Sequence, residues 1–243
     1  MPKKRIPWKE QDLENRDLEK YFEFFDLSLR HYYTDVADAI LRNGNIEGKV
    51  LDIGCGFGIL GMMICSRDEF ATVTGLENSR IMVKTSEVIT ARRGYSGRIN
   101  FKVWEEDSLP FEDEEFSAVV SFLSLHRWSS PEKIFSEIQR VRKKDAVVYV
   151  SDFRRDQPAL PKELMVQQTR IEMGKEIAAD LRNSFKAAYT PEEMKHILTR
   201  SMLADYQIEE VKMWLNVICG QPSPQDEKPA PEQQDKAPSD KSG

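Results

Sequence analysis

A carboxylate and three alternating glycines lie together in the segment 50–61, which reads VLDIGCGFGILG. Gly54, Gly56 and Gly58 tolerate positive φ angles and let a ligand approach the backbone closely. An apolar strand precedes the turn, and the helix that follows offers free amide donors at its start. Asp52, at the end of the strand, can accept a hydrogen bond from a ligand amine. The segment therefore predicts a ligand site at the carboxyl end of a strand.

A second carboxylate, Glu77, ends the next predicted strand, roughly 20 residues after the glycines. An acidic side chain at this position can accept hydrogen bonds from both hydroxyl groups of a ribose. Together with the glycine turn, it predicts a ligand that contains adenosine.

The charge of Asp52 separates the two ligand classes that fit this pattern. Residues 56–61 form a literal G-x-G-x-x-G, which is typical of dinucleotide binding. A carboxylate repels a pyrophosphate, whereas it attracts the sulfonium and ammonium groups of S-adenosylmethionine (SAM). SAM is therefore the predicted cofactor, and a NAD(P)-dependent oxidoreductase is the alternative.

The elements that must position these residues alternate between strand and helix. Such alternation predicts a doubly wound α/β fold with a mainly parallel sheet covered on both faces. The final two strands are too close in sequence for a helical crossover, so the last strand of seven is expected to be antiparallel. The predicted strands are 49–53, 71–76, 99–103, 116–122, 146–151, 207–211 and 213–219, and the predicted helices between them include 59–66, 79–93 and 131–141.

Three regions are predicted along the chain. Residues 1–47 form an N-terminal helical cap, in which apolar spacing indicates one helix over 17–42. Residues 48–220 form the SAM-binding domain, with a helical lid inserted at 154–190. Residues 221–243 are rich in proline and polar residues, which predicts a disordered tail.

Several segments resemble one known family. The run LDIGCGFG at 51–58 resembles motif I of the class I (Rossmann-like) SAM-dependent methyltransferases. Residues 101–111, which end in Leu-Pro-Phe, resemble the adenine-binding segment of that family, and 116–126 resemble its fourth strand and following loop. Residues 134–141 resemble the next helix. Four matches in this order, over residues 48–152, identify the chain as a member of this class, in the UbiE-like small-molecule group (methyltransferase type 11).

The resemblance implies methyl transfer and assigns roles to individual residues. Asp52 would face the methionine part of SAM and Glu77 its ribose. Glu105 stands where the family usually has the Asp that contacts adenine; Asp107 is a nearby substitute, and the Glu106 amide would bond the ring. The implied cofactor-binding residues are Asp52, Ile53, Gly54, Cys55, Gly56, Phe57, Gly58, Glu77, Asn78, Met82, Glu105, Glu106, Asp107, Phe122 and Ser124.

Candidates for acceptor binding and catalysis follow the fourth and fifth strands. His126 is a candidate general base, since imidazole titrates near neutral pH, and a structural role is the alternative. Arg154 and Arg155 are candidates for holding an acidic substrate, unless they pair with neighbouring acidic residues instead. Tyr33 is a candidate substrate contact in the cap, with core packing as the alternative.

Composition and charge limit the kinds of partner and the cellular compartment that we expect for this protein. A net charge of −6 disfavours nucleic acid as the main partner, and no apolar run approaches the roughly 20 residues that span a bilayer. Three scattered cysteines indicate neither a disulfide framework nor a metal site, which favours the cytoplasm. The basic residues Lys3, Lys4 and Arg5 are interpreted as a solvated tail.

The acceptor is expected to be a small molecule. No Asn/Asp-Pro-Pro motif follows the predicted fourth strand, which argues against methylation of amino groups in nucleic-acid bases or glutamine. A SAM-binding protein without transferase activity, acting as a regulator or partner, is a further alternative. The identity of the acceptor and the oligomeric state do not follow from the sequence.

Overall fold

A seven-stranded sheet forms the centre of a computed structural model, which describes residues 4–8, 17–44, 46, 48–105 and 108–220. The strand order is β3-β2-β1-β4-β5-β7-β6. The first five pair in parallel, and β7 runs antiparallel to both β5 and β6. The predicted fold class is confirmed. The strands are β1 Lys49–Ile53, β2 Thr72–Glu77, β3 Ile99–Val103, β4 Phe116–Phe122, β5 Arg142–Phe153, β6 Gln207–Val211 and β7 Trp214–Cys219.

Helices connect the strands and cover the sheet. At the start of α8, Pro191–Thr199, Thr190 and Glu193 form a reciprocal capping box, and proline occupies the first turn. A single π-helical turn, Phe24–Ser28, joins α1 to the residue before α2, and a short 3₁₀ turn, Leu125–Arg127, follows β4. The helices are α1 Leu18–Glu23, α2 Arg30–Arg42, α3 Ile59–Arg67, α4 Arg80–Arg92, α5 Pro131–Val141, α6 Ala159–Met173, α7 Lys175–Ala187 and α8 Pro191–Thr199.

Alternate residues of each strand face opposite sides of the sheet, so two apolar cores form. Val50 of β1 packs in the core that includes Ala37 of α2 and Ile64 of α3. Its neighbour Leu51 packs in the core that includes Ile138 of α5 and Leu198 of α8. Burial on both faces explains why the central strands read as nearly continuous apolar runs.

A crevice forms at the carboxyl end of β1, between the connections that lead to the strands on its two sides. β1 pairs with β2 on one side and with β4 on the other, so the connections after these strands diverge. Open α/β sheets bind their ligands at such a switch point, outside the carboxyl ends of the strands. The fold therefore places the glycine turn after β1 and the end of β2 at a ligand-binding edge.

The N-terminal segment differs from the single helix predicted over 17–42. The helix is interrupted by the π turn, which buries Phe24 and Asp26. The Asp26 carboxylate accepts hydrogen bonds from Arg93 at the end of α4 and from Arg30, each at 2.7 Å. The spacing of apolar residues could not predict this break, because the buried Asp26 carboxylate is held by Arg93, which is distant in sequence. The predicted tail 221–243 lies outside the described residues.

Candidate active site

A cavity of about 890 Å³ lies at the carboxyl ends of β1, β2 and β4. The N-terminal segment and α7 contribute the opposite wall. Sequence reasoning selected many of the residues that line it. These are Tyr33, Gly54, Cys55, Gly56, Phe57, Glu77, Asn78, Met82, Glu105, Phe122, Ser124 and His126.

The glycine turn has positive φ at Gly54, Gly56 and Gly58. A Cβ atom at Gly54 would come within 2.1 Å of Ser124 Oγ, and one at Gly58 within 2.7 Å of the Phe101 ring, so both positions require glycine for packing. A Cβ at Gly56 would meet nothing within 4 Å, and Gly56 lines the cavity. Gly56 therefore leaves an open cradle into which a ligand can approach the backbone.

The Glu77 carboxylate is held by backbone amides at the edge of this cradle. It accepts hydrogen bonds from the amide of Gly56 at 3.3 Å and the amide of Ser79 at 3.2 Å. Ser79 caps α4, since its hydroxyl accepts a hydrogen bond from the Met82 amide. The cap places Asn78 and Met82 in the cavity wall beside Glu77.

Asp52 is a buried carboxylate with spare hydrogen-bonding capacity. Its Oδ2 atom has no hydrogen-bond partner among the described residues. Burial, and then the nearby charge of Glu77, raise the Asp52 pKa to about 7. A cationic ligand beside Asp52 and Glu77 would stabilise the ionised form of both carboxylates. Asp52 and Ile53 are not among the residues that line the cavity.

Cys55 and Tyr33 line the cavity but are poorly suited to act as nucleophile or base. Burial raises the pKa of the Cys55 thiol well above its usual value, and Asp52 raises it further. Burial also raises the pKa of the Tyr33 phenol. The Tyr33 ring packs edge-on against Phe122, with ring centroids 4.8 Å apart. Both side chains therefore contribute shape to the cavity.

His126 forms a buried dyad with Asp152. The Asp152 carboxylate lies 2.9 Å from His126 Nδ1 and accepts the backbone amide of His126 at 2.7 Å. It also accepts the backbone amide of Phe153 at 2.7 Å, so this carboxylate acts as a hydrogen-bond acceptor. Nδ1 is then the donor, and in the neutral imidazole Nε2 is the nitrogen that can accept a proton. In the described part of the chain, Nε2 is buried and has no partner.

Sequence reasoning missed the N-terminal strap, residues 4–8. Arg5 is not solvated as predicted: its guanidinium donates to Ala187 O at 2.7 Å and to His126 O at 3.2 Å. It also lies over the Tyr189 ring. This anchor brings Trp8 into the cavity wall, where its ring meets the His126 ring edge-on with centroids 5.3 Å apart. No local sequence pattern signalled these contacts.

The structure does not support the predicted substrate role of Arg154 and Arg155. Arg154 forms ion pairs with Asp156 and Glu210. Arg155 is buried, donates to a backbone carbonyl at the end of α7 and pairs with Glu193 of α8. Neither arginine is among the described residues that line the cavity. We therefore revise that prediction: these guanidinium groups connect β5 to neighbouring elements.

Other predictions concern the adenine side and metal binding. Glu105 is exposed at the cavity rim, while Glu106 and Asp107 lie outside the described residues.

Over the ranges that the structure describes, no group of three His, Cys, Asp or Glu side chains is arranged to hold a metal ion. Within those same ranges, no helix is both long and apolar enough to cross a membrane.

Comparisons with known proteins agree with this geometry. A model of the methyltransferase domain matches residues 45–207. UbiE, the ubiquinone/menaquinone biosynthesis C-methyltransferase of Geotalea daltonii, is 27% identical over 108 residues, covering 44% of this chain and 46% of that protein. ERG6B, a sterol 24-C-methyltransferase of Gibberella zeae, is 30% identical over 134 residues, covering 55% of this chain and 34% of that protein. The chain thus spans less than half the length of these relatives.

A solved structure shows the same fold. It is a protein from Methanococcus maripaludis assigned as an S-adenosyl-L-methionine-dependent methyltransferase, which superposes with a TM-score of 0.71 at 18% identity. The superposition covers 90% of this chain and 98% of that one. At this identity the likeness shows the architecture of the sheet and its helices.

Proposed function

This chain belongs to the methyltransferase domain family, and from that premise we propose that it transfers a methyl group from SAM to a small-molecule acceptor. One observation carries the proposal: the same cavity is lined by the open cradle at Gly56, by Glu77 and by His126. A cofactor cradle and a base that share one cavity suit group transfer better than cofactor binding alone.

The residues present fit SAM by charge and by shape. Asp52 does not itself line the cavity, but it directly precedes the glycine turn that does, and its buried Oδ2 atom lacks a described partner. It can therefore accept a hydrogen bond from the ammonium group of the methionine part, directly or through a water. Glu77 is placed to accept the ribose hydroxyls, and the Gly56 backbone can approach the ligand without a Cβ in the way. Glu105 stands at the rim where the resemblance expects the adenine contact. A nicotinamide dinucleotide would bring its pyrophosphate towards two carboxylates.

His126 is the proposed general base. SAM, when bound, supplies a methyl group already activated by the sulfonium, so the protein mainly orients the acceptor and excludes water. The Asp152 carboxylate holds the proton on Nδ1, which leaves Nε2 ready to accept a proton from an acceptor hydroxyl or amine. Asp152 acts through His126 and is therefore a positioning residue.

The printed names of the relatives support a small-molecule acceptor, since they describe methyltransferases of quinone biosynthesis and of sterols. We propose the cytoplasm as the compartment, which the three free cysteines support.

We retain the division into a cap (1–47), a SAM-binding domain (48–220) and a lid (154–190), since α7 of that lid lines the cavity. A non-catalytic SAM-binding protein would bind the cofactor but produce no S-adenosylhomocysteine (SAH).

Gly56→Ala should weaken SAH binding by about tenfold or more, or ~1.4 kcal/mol, because the new methyl group occupies the cradle. The matched control is Gly94→Ala. Gly94 also has positive φ and open space around it, but it does not line the cavity. Both variants should lose a similar ~1–2 kcal/mol of stability from the left-handed backbone. Isothermal titration with SAH, SAM and NADH measures the affinities.

Two results of that titration would contradict the proposal. Equal SAH affinities for Gly56→Ala and Gly94→Ala would mean that the cradle is not the cofactor site. Binding of NADH without SAM or SAH would replace the proposed transferase by an oxidoreductase. The expected result is binding of SAM and SAH by the wild type and the Gly94 variant, and no binding of NADH.

SAH affinity should fall as the pH is lowered through the Asp52 pKa of about 7. The ligand ammonium favours the ionised carboxylate, which is present above that pKa and lost below it. Going from about pH 8 to about pH 6 reduces the ionised fraction, and so the affinity, about tenfold. Binding near neutral pH should also release protons, which calorimetry detects by comparing buffers of different ionisation enthalpy.

Two variants identify the group that titrates. Asp52→Asn should bind SAH weakly with little pH dependence over this range, while His126→Gln should keep the dependence of the wild type. A pH dependence that survives in Asp52→Asn would show that another group is responsible.

A further inference from the structure

Helix α6 carries apolar side chains on two opposite sides. One side faces the protein, where Val166 joins the buried core. The other side carries Leu160, Leu164 and Ile171, which are 70%, 62% and 84% exposed. Helices that are apolar on all sides are usually buried, so the outer side of α6 is expected to be covered by a partner.

The exposed side chains form one stripe along α6. Its members are separated by four, three and four residues, which is the a/d spacing of a coiled-coil seam. The stripe consists of Leu160, Leu164, Gln167 and Ile171, all of them exposed. In such a seam each side chain inserts between four side chains of a facing helix. The stripe therefore suits a second helix that carries the same pattern.

The stripe complements a second copy of itself when the two helices run antiparallel. Gln167 then lies close to the two-fold axis, and Ile171 inserts between Leu160 and Leu164 of the other copy. Two helical turns separate Glu163 from Arg170 on one flank of the stripe. Antiparallel packing sets each Glu163 carboxylate against the Arg170 guanidinium of the other copy, so the flank is complementary in charge.

Other partners for the stripe fit less well. Residues 221–243 contain no large apolar side chain, and residues 9–16 contain one, Leu13. A lipid surface is also disfavoured, because Glu163 and Glu172 flank the stripe and the chain has a net charge of −6, whereas membrane surfaces are commonly anionic. A parallel pair of α6 helices would set Glu163 against the uncharged Gln168.

We propose that α6 forms a two-fold, antiparallel interface between two copies of this chain. Leu160, Leu164 and Ile171 form its apolar seam, and the pairs of Glu163 with Arg170 fix its direction. α6 packs against α7, which lines the cavity, so the interface lies on the outer side of the lid. One 15-residue helix from each copy makes a small interface, so the dimer is reversible, with a dissociation constant of about 1–100 µM.

Sedimentation equilibrium of the full chain over about 1–500 µM tests this interface. We expect the average mass to rise with concentration from one copy towards two. Ile171→Glu should raise the dissociation constant by about tenfold or more, because a charge at the seam loses its hydration on association. Met202→Glu is the matched control, since Met202 is 76% exposed but lies beyond α8. It should dimerise as the wild type does.

Charge reversal tests the antiparallel direction. Glu163→Arg and Arg170→Glu should each raise the dissociation constant by about tenfold, because two ion pairs become two repulsive contacts. The double variant should restore the wild-type value. The two side chains lie about 10 Å apart along one helix, so they do not pair within one copy and the rescue requires a second copy.

Several results would overturn the interface. These are a mass of one copy at every concentration, normal dimerisation of Ile171→Glu, and equal weakening by Met202→Glu. A double charge variant that dimerises as poorly as the single variants would contradict the antiparallel direction. Binding of the monomer to phosphatidylglycerol vesicles, lost in Ile171→Glu, would assign the stripe to a lipid surface instead. Circular dichroism and SAH binding verify that each variant is folded.

Discussion

His126→Ala is expected to lower kcat for methyl transfer by about 10²–10⁴-fold, the usual contribution of a positioned general base. The imidazole lines the cavity and is held by Asp152, which makes it the proposed acceptor of the proton. SAH affinity should change little, because the cradle at Gly56 and the Glu77 carboxylate remain. Rates of SAH formation with a small-molecule acceptor that carries a hydroxyl or amine proton measure the effect.

Two controls separate catalysis from structure in this experiment. His196→Ala, an exposed histidine on α8, should keep wild-type turnover. Free imidazole added to His126→Ala should restore part of the lost turnover, because it can enter the space left by the side chain and accept the proton. Turnover of His126→Ala equal to that of the wild type would remove the base from the mechanism.

Asp152→Asn is expected to lower kcat by about 10²-fold or more, since a base held in the wrong tautomer cannot accept the proton. Asparagine has nearly the size of aspartate but keeps only one oxygen, so it can accept one of the two backbone amides, those of His126 and Phe153, that the two carboxylate oxygens of Asp152 accept. Its amide nitrogen, however, donates a hydrogen bond to Nδ1, which moves the imidazole proton to Nε2. Steady-state kinetics under saturating SAM measures the loss.

The tautomer itself provides a readout that a merely structural role of Asp152 would not change. Nitrogen-15 shifts of the His126 ring should show a protonated Nδ1 in the wild type and a protonated Nε2 in Asp152→Asn, while SAH affinity stays the same. An unchanged tautomer together with a large loss of kcat would contradict positioning by Asp152 and point to general damage at the end of β5.

Much of the fold follows from local patterns. The bounds of β1, β3, β4 and β6 match the predicted strands. β1 and β4 are buried on both faces and read as short apolar runs between polar turns, whereas β3 and β6 are edge strands whose residues are mostly exposed. The break in the N-terminal helix did not follow, since it depends on the pairing of Asp26 with Arg93, 67 residues away. The length of β5 depended likewise on distant partners: Arg142 pairs with Phe116, and Phe153 with Trp214.

The cofactor side of the cavity contains residues that the sequence predicts, and for a similar reason. Gly54, Gly56 and Glu77 belong to two consecutive strand–turn–helix units, whose spacing along the chain encodes their arrangement in space. The acceptor side was not predictable in this way. Arg154 and Arg155 follow a strand at the correct edge, yet their ion pairs with Glu210 and Glu193 occupy them elsewhere, and no local pattern indicates such partners.

The sequence by itself determined the α/β architecture, the adenosine site and, through the charge of Asp52, the preference for a cationic cofactor. These depend on the order of elements and on residue types within short segments, which local chemistry controls. Only the tertiary structure decided which side chains surround His126. Asp152 reaches His126 across 26 residues, and Arg5 reaches it across 121, bringing Trp8 with it. Such contacts arise from the packing of separate elements around the cavity, which the spacing of residues along one segment does not encode.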